Sequence, residues 1–412
     1  MRISRVEATG VAVPDPPLRN INGVHEPFAL RVILQMYTDD GLVGLGEMPG
    51  GRRLLEEIEA ASTKISGLSP WHWQQLRTLF PKQPRLWAAF EVPMLDLIGK
   101  ATNCSVSDVL GGAIRERVPF SAYLFEKFAT PPDWLGAYAG VGPWGAVGMY
   151  EWVREALTPE ALLAEAQEFH RRYGFTTFKL KAGAIPPDEE VEALRLMRKY
   201  FGDAVKLRID PNAGWSRETA LRLIPALEDI GLEYYEDPVE GMDMMADIQR
   251  HTRIPTATNM CLVRFDQFVE GVKKDAARVV LADHHAWGGL WAFRQCGTIC
   301  ATFGLATSQH SNTHLGISMA AMVHAGAVTP NVTYASDTHY PWQEGWDIVN
   351  EAFHFEDGCL AVPTGPGLGV TIDPDRLAAL AEIAAQRPSV VRDDLTLMPR
   401  FIPGWQPGRG KW

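Results

Sequence analysis

Cysteine is scarce in this chain. Cys104, Cys261, Cys296, Cys300 and Cys359 are few, scattered and odd in number, which argues against a disulfide framework and suits a reducing compartment. Cys296 and Cys300, four residues apart, read as packing on one helix face. Long apolar runs are missing as well. No segment approaches ~18 uninterrupted apolar residues, so no membrane-spanning helix is expected. The N-terminal MRISRVEATG has no signal-peptide apolar core, and a cytoplasmic location is the expectation. Basic runs are absent, and the net charge is −11 with Lys+Arg 39 against Asp+Glu 50. Nucleic acid and anionic membrane are therefore excluded as expected partners. An anionic small molecule is not excluded, because a metal ion and lysines can reverse the sign inside a cleft. No low-complexity region occurs. The cluster Gly41, Gly44 and Gly46 lacks the following helix that a phosphate-binding loop requires; it reads as a hairpin.

What is present is core material and a period. Hydrophobic residues make up 46% of 412 positions, enough for a barrel plus a smaller unit. Residues 1 to about 125 read as strands first and helices after, an α+β pattern. Strands are expected at Arg2 to Val13, Leu30 to Tyr37 and Leu42 to Glu47, the last two joined by a tight Asp39-Asp40-Gly41 turn. Helices are expected at Leu54 to Ser66, Trp87 to Gly99 and Val106 to Leu110. A first barrel strand is placed at Pro119 to Leu124. The segment Glu126 to Trp152, rich in Gly, Pro and aromatic residues, reads as a long loop and a candidate lid. Thr158-Pro159-Glu160 opens a helix that Gly174 stops. A last helix is expected from Pro374 to Gln386.

Lys181, Asp210, Glu236, Asn259, Asp283 and His310 follow one another at steps of 29, 26, 23, 24 and 27 residues. Each closes a short apolar run or lies one to three residues beyond it. Strand and helix alternating at that period describe a (β/α) barrel, whose chemistry sits at the carboxyl ends of its strands. Lys179 and Lys181 alternate on one strand and face the same side. Their mutual repulsion is expected to lower the pKa of at least one, which suits a base. Asp210, Glu236 and Asn259 end three consecutive strands, an all-oxygen set fit for Mg²⁺. Asp283 and His310 follow neighbouring strands, so the carboxylate can orient the imidazole. His284, His285, His314 and His324 read as structural. Together the parts imply that a metal binds a substrate carboxylate and Lys181 or His310 takes the adjacent proton. The resulting enediolate, stabilised by the metal and Lys179, then loses water or is reprotonated.

At these residues the chain resembles the enolase superfamily and, within it, the glucarate dehydratases. The resemblance rests on Lys179-Leu-Lys181, Asp210-Pro-Asn212, Glu236-Asp-Pro238, Ala257-Thr-Asn259-Met260, Ala282-Asp283 and His310-Ser-Asn312. Asp337-Thr-His339, Pro366-Gly-Leu-Gly369, Arg392-Asp-Asp394 and Ile402-Pro-Gly-Trp405 extend it to almost the full length. It implies a modified (β/α)₇β TIM-like barrel, residues 126–369, under an α+β N-terminal capping domain, residues 1–125. The capping domain is completed by a C-terminal segment from about 370 to 412. It further implies Mg²⁺ on Asp210, Glu236 and Asn259, with Lys179, Lys181, His310, Asp283, Asn212 and Asn312 as catalytic positions. His25, Tyr123, Phe125, Ser311, His339 and Arg392 carry over as substrate contacts. The implied reaction is dehydration of an aldarate such as D-glucarate or L-idarate to a keto-deoxy acid, by a homo-oligomer. A racemase on the same residues and a non-catalytic binding protein on the same fold are the alternatives. The chain departs from the family at Ala88, at His284-His285-Ala286-Trp287 and at Thr313-His314-Leu315-Gly316.

Overall fold

Alternation of apolar side chains builds the first layer. The computed structural model describes residues 1–139, 154–343, 345–387, 393–406 and 412. It opens with β1 (Ile3–Pro14), a short hairpin of β2 (Arg19–Asn20) and β3 (Gly23–Val24), then β4 (Phe28–Thr38) and β5 (Val43–Pro49). β1, β4 and β5 form an antiparallel sheet with β4 in the centre. Successive side chains of β4 point to opposite faces. Val32, Leu34 and Met36 meet the helices Arg52–Ser62 and Pro84–Thr102 in one core, while Ile33 faces the core shared with the barrel. The Asp39-Asp40-Gly41 turn joins β4 to β5, with Gly41 at φ 88°. Gly44 admits the helix Pro84–Thr102, since a Cβ there would lie 2.2 Å from the Pro93 carbonyl oxygen. The turn at Gly41 and close packing against Pro93 at Gly44 and Gly46 explain the glycine cluster.

The second sheet is parallel and nearly closed. Its strands are β6 (Arg117–Phe125), β7 (Thr177–Lys181), β8 (Lys206–Asp210), β9 (Tyr234–Glu236), β10 (Thr256–Thr258), β11 (Val279–Ala282), β12 (Ala306–Gln309) and β13 (Ser336–Thr338). They pair in the order β12-β11-β10-β9-β8-β7-β6-β13, and a short β14 (Cys359–Ala361) adds antiparallel to β6. At the seam between β12 and β13 the Ser308 hydroxyl donates to the Ala335 carbonyl at 2.9 Å. The fold is therefore the expected barrel with a separate antiparallel N-terminal sheet.

Helices alternate with these strands. Pro159–Tyr173 starts where the Thr158 hydroxyl accepts from the Ala161 N–H and ends at Gly174, φ 69°. Gly316–Val328 is buried along its whole length and lies between the barrel and β5. The segment Glu126 to Trp152 is not a plain loop: Pro132–Ala139 is a helix, with Pro132 at its start and Asp133 in its first turn. Those start signals are masked in the sequence by the surrounding Gly and Pro. Residues 140–153, most of the candidate lid, lie outside the described residues. Cys296 and Cys300 stack one turn apart on the buried face of Leu290–Thr302, sulfurs 4.0 Å apart. Among the described residues no helix is long and apolar enough to cross a membrane.

Buried carboxylates join the two sheets. Glu47 accepts from the N–H groups of Leu315 and Ser318 at 2.9 and 2.8 Å. Asp96 accepts from those of Leu45 and Leu368, both at 2.8 Å. Glu91 accepts from those of Leu290 and Trp291 at 2.6 and 3.3 Å. Late residues return to the start of the chain. The helix Pro374–Ala385 packs along β1, and Asp394 accepts from Asn20 Nδ2 at 2.9 Å, while its carbonyl accepts from the Val24 N–H at 3.0 Å.

Burial pushes the Glu91 carboxyl up to about 8, against the pull of the two N–H groups. The folded protein then holds a proton that the unfolded chain has released, so stability falls as pH rises from about 4.5 to 8. We expect Glu91→Gln to flatten that slope, with wild type losing on the order of 4 kcal/mol relative to the variant across the window. Urea melts at both ends of the window check this; parallel slopes for the two proteins would refute it.

Candidate active site at the strand ends

Lys181, Asp210 and Glu236 are the last residues of β7, β8 and β9, and Asn259, Asp283 and His310 each follow their strand by one residue. Barrel geometry thus converts even spacing in sequence into one ring of side chains. Lys179 and Lys181 share a face as their alternation requires, with Nζ atoms 4.8 and 5.3 Å from the centre of the Tyr123 ring. Lys179 is fully buried and donates to Glu236 Oε2 at 2.7 Å and Asp337 Oδ2 at 2.5 Å. Lys181 donates to Asp210 Oδ2 at 2.5 Å. The expected drop in lysine pKa is overturned at Lys179. Burial does favour the neutral amine, but Asp337 and Glu236 outweigh it and hold the ammonium well above its usual range. The sequence showed the neighbouring lysine and not the carboxylates that the fold brings closer.

The candidate oxygen ligands, Asp210, Glu236 and Asn259, bring two carboxylates and an amide to neighbouring strand ends. Burial raises the Glu236 carboxyl well above its usual range, and repulsion from Asp210 adds to it. Burial acts on Asp210 too, yet Lys181 and Lys179 hold it below. Asp237, φ 32°, braces the set by accepting from the Thr258 hydroxyl at 2.6 Å and the Asn259 N–H at 2.8 Å. Glu236 Oε1 and Asn259 Oδ1 are buried and meet no hydrogen-bond donor among the described residues. Buried oxygens are seldom left so. Two bare oxygens beside Asp210 fit a hard divalent cation.

The histidine side is a network. His310 Nδ1 lies 3.3 Å from Asp283 Oδ2, and Asn312 Nδ2 donates to the same oxygen at 3.2 Å. Asp283 Oδ1 faces His285 Nδ1 at 2.8 Å. Burial opposes ionisation of Asp283, but His285 beside it keeps the carboxyl well below its usual range. Asn212, φ 49°, turns back on Asp210, its N–H donating to Oδ1 at 2.9 Å.

Lys181, Asn212, Asn259, His310 and Asn312 open on one cavity of about 470 Å³, which His25, Tyr123, Phe125, Ser311 and His339 also line. Asn20, Ile21 and Asn22, from the β2–β3 hairpin, form part of its wall. The single Tyr123 O–H proton has two acceptors within reach, the Ser311 carbonyl at 3.0 Å and Asp337 Oδ2 at 3.2 Å. The Ser311 hydroxyl turns to the Asn312 carbonyl at 2.9 Å. Rings of His25 and His339 stand 6.0 Å apart at 20°, each edge-on to Phe125. Arg392 lies outside the described residues.

Three further residues belong to the arrangement. Asp337 completes the shell of Lys179 and was visible only as part of a motif. His285, read from sequence as structural, reaches Asp283. Asp15, between Pro14 and Pro16 at the end of β1, joins His25 Nδ1 at 2.8 Å and His339 Nε2 at 3.3 Å. No local signal marks it, because its partners are 10 and 324 residues away.

Residues 161–376 match the family described as Enolase C-terminal domain-like. The chain is 39% identical to a probable glucarate dehydratase of Streptomyces coelicolor, over all of this chain and 99% of the relative. It is 44% identical to an enolase from Mycobacterium smegmatis solved with tartrate, TM-score 0.91, covering 100% and 98% of the two chains. An enolase from Pseudomonas fluorescens with bound magnesium, potassium and tartrate is 39% identical, TM-score 0.90, covering 100% and 99%.

Burial works against the charge of Asp15, but His25 and then His339 draw its carboxyl below the usual range. Asp15→Ala leaves two buried rings without their shared acceptor, and we expect a loss of about 3 kcal/mol in urea unfolding. A change below about 0.5 kcal/mol, the range of an ordinary surface substitution, would mean the carboxylate does not hold the pair.

Proposed function

The chain belongs to the enolase superfamily, and on that premise we propose that it is a Mg²⁺-dependent dehydratase of an aldaric acid, D-glucarate or L-idarate. The observation that carries this reading is one cavity lined by two candidate bases, Lys181 and His310, and by Asn259, with Asp210 and Glu236 at the ends of the two strands that lie between Lys181 and Asn259 in the sheet. Two of those side chains, Glu236 and Asn259, each present a buried oxygen that no hydrogen-bond donor meets among the described residues. Residues 1–125 with the segment from about 370 onward cap the barrel of 126–369 in this reading.

Asp210, Glu236 and Asn259 would hold the ion. Bound there, Mg²⁺ supplies charge stabilisation for a substrate carboxylate whose neighbouring carbon is losing a proton. Lys181 takes the proton from one face of that carbon, and His310, through its cavity-facing nitrogen, from the other. The C–H pair moves into the enediolate, whose charge Lys179 helps to hold. Protonated His310 then gives its proton to the hydroxyl on the next carbon. That C–O bond breaks, water leaves, and the enol becomes a keto-deoxy acid. Asp283 orients His310, and Asn212 and Asn312 steady the groups beside them. The far carboxylate and hydroxyls fall to His25, Tyr123, Phe125, Ser311 and His339, with Arg392 as a bidentate cation. The substrate is a small diacid, the working form a homo-oligomer, and the compartment the cytoplasm.

Incubation of aldaric acids with Mg²⁺ in ²H₂O, followed by NMR, tests the reading. A keto-deoxy product from glucarate is the expected result. Deuterium uptake without loss of water would replace the dehydratase by a racemase. Neither product nor exchange from any acid, with Mg²⁺ bound, would leave a binding protein.

Two variants separate the bases. Lys181→Ala should abolish exchange from one epimer and His310→Asn from the other, each by about 10²–10⁴-fold, the usual worth of a general base. Equal loss on both epimers would contradict the two-base scheme. For the ion, Asn259→Leu is expected to weaken Mg²⁺ binding at least tenfold by calorimetry, with the fold intact by circular dichroism. Unchanged affinity would remove Asn259 from the ligand set.

A further inference from the structure

Resting on that reading, we infer that Arg31, Ser318 and His285 are positioning residues. They form a one-directional hydrogen-bond chain that runs from the N-terminal sheet to His310 and fixes which of its nitrogens faces the substrate.

The chain can be traced donor by donor. Arg31, buried on β4, donates through Nε and Nη2 to Glu47 Oε1 at 2.8 and 2.6 Å. Its Nη2 also reaches Ser318 Oγ at 3.3 Å. A guanidinium only donates, so Ser318 Oγ must accept there. The hydroxyl has one proton of its own, and the remaining partner is His285 Nε2 at 2.9 Å. Nε2 is therefore the acceptor nitrogen of His285, and the ring carries its proton on Nδ1. That proton points at Asp283 Oδ1, 2.8 Å away. Asp283 accepts on both oxygens, the second taking His310 Nδ1 at 3.3 Å and Asn312 Nδ2 at 3.2 Å. With Nδ1–H committed to Asp283, His310 is left with the lone pair on Nε2. That is the tautomer a base needs.

Two further rings pack against His285. His284 and His314 pack 3.8 and 4.9 Å from the His285 ring, centre to centre. Burial, and then His285 beside them, holds both well below the usual imidazole range. The charges that face His285 are Asp283 and, through Ser318, the Arg31–Glu47 pair. Glu47 is itself fixed by the N–H groups of Leu315 and Ser318. The arginine is not part of the barrel. A barrel without its N-terminal sheet would keep Asp283 and His310 but lose the group that sets their direction.

The test uses Mg²⁺-loaded protein with ¹⁵N-labelled histidine. In wild type, His285 should carry its proton on Nδ1 and leave Nε2 bare. Ser318→Ala should convert it to a tautomer mixture. With D-glucarate and L-idarate as probes, Ser318→Ala should slow α-deuterium exchange on the His310 side about tenfold, the usual cost of losing an orienting partner. Exchange on the Lys181 side should be unaltered, and the pH profile of the His310 limb should shift. Ser318→Thr, which keeps the hydroxyl, should restore tautomer and rate. Wild-type His285 found as the Nε2–H tautomer or as imidazolium would overturn the inference. So would equal slowing of both sides, which marks a structural role alone. Absence of exchange in wild type refutes the dehydratase reading, and the ¹⁵N spectra still decide the chain.

Discussion

A fully buried ammonium organises this protein. Lys179 has no access to solvent, and an isolated charge in that position would cost many kcal/mol. Its neighbours answer the cost: Glu236 and Asp337 at hydrogen-bond distance and Asp210 at 3.8 Å. Each comes from a different strand, so the lysine ties β7 to β8, β9 and β13. Arg208 extends the same network, reaching Asp337 at 3.5 Å and Glu233 at 2.7 Å. The carboxylates needed to bury this charge are also those that leave Glu236 Oε1 bare. Barrel closure and the oxygen-rich group of side chains at the strand ends therefore share one electrostatic solution.

The N-terminal sheet is held by the same device used in reverse. Here the buried groups are carboxylates, and backbone donors answer them, together with Arg31 at Glu47 and Lys100 at Asp96. Glu47 and Glu91 accept N–H groups of the barrel, and Asp96 accepts one from Leu45 on β5 and one from Leu368. Such contacts are directional, so they fix orientation where apolar packing alone would allow sliding. Orientation matters because the β2–β3 hairpin, His25 and Arg31 must all meet groups of the barrel.

The barrel was legible because its residues repeat. Lys181, Asp210, Glu236, Asn259, Asp283 and His310 each end or follow a strand, and strand ends converge by geometry alone. Hairpin and helix boundaries were legible where local chemistry set them, as at Gly41, Thr158 and Gly174. What the sequence did not reveal was pairing between distant segments. Asp15 meets His339 across the chain, and Asp337 reverses the expected pKa of Lys179. His285 reads as an ordinary core histidine until Ser318 and Arg31 are brought to it. The helix Pro132–Ala139 was hidden for a different reason: its start signals lie among residues that elsewhere mark loops.

The wall of the cavity has a history in time as well as a place in space. Asn20 bonds to Asp394, 374 residues later. During synthesis at roughly 5–20 residues per second, the hairpin waits on the order of tens of seconds for that partner. The parallel strands β6 to β13 all emerge in the interval. A nascent chain can therefore bring the hairpin to the barrel through Arg19, which donates to the Glu126 and Ala184 carbonyls, long before the contact with Asp394 is available.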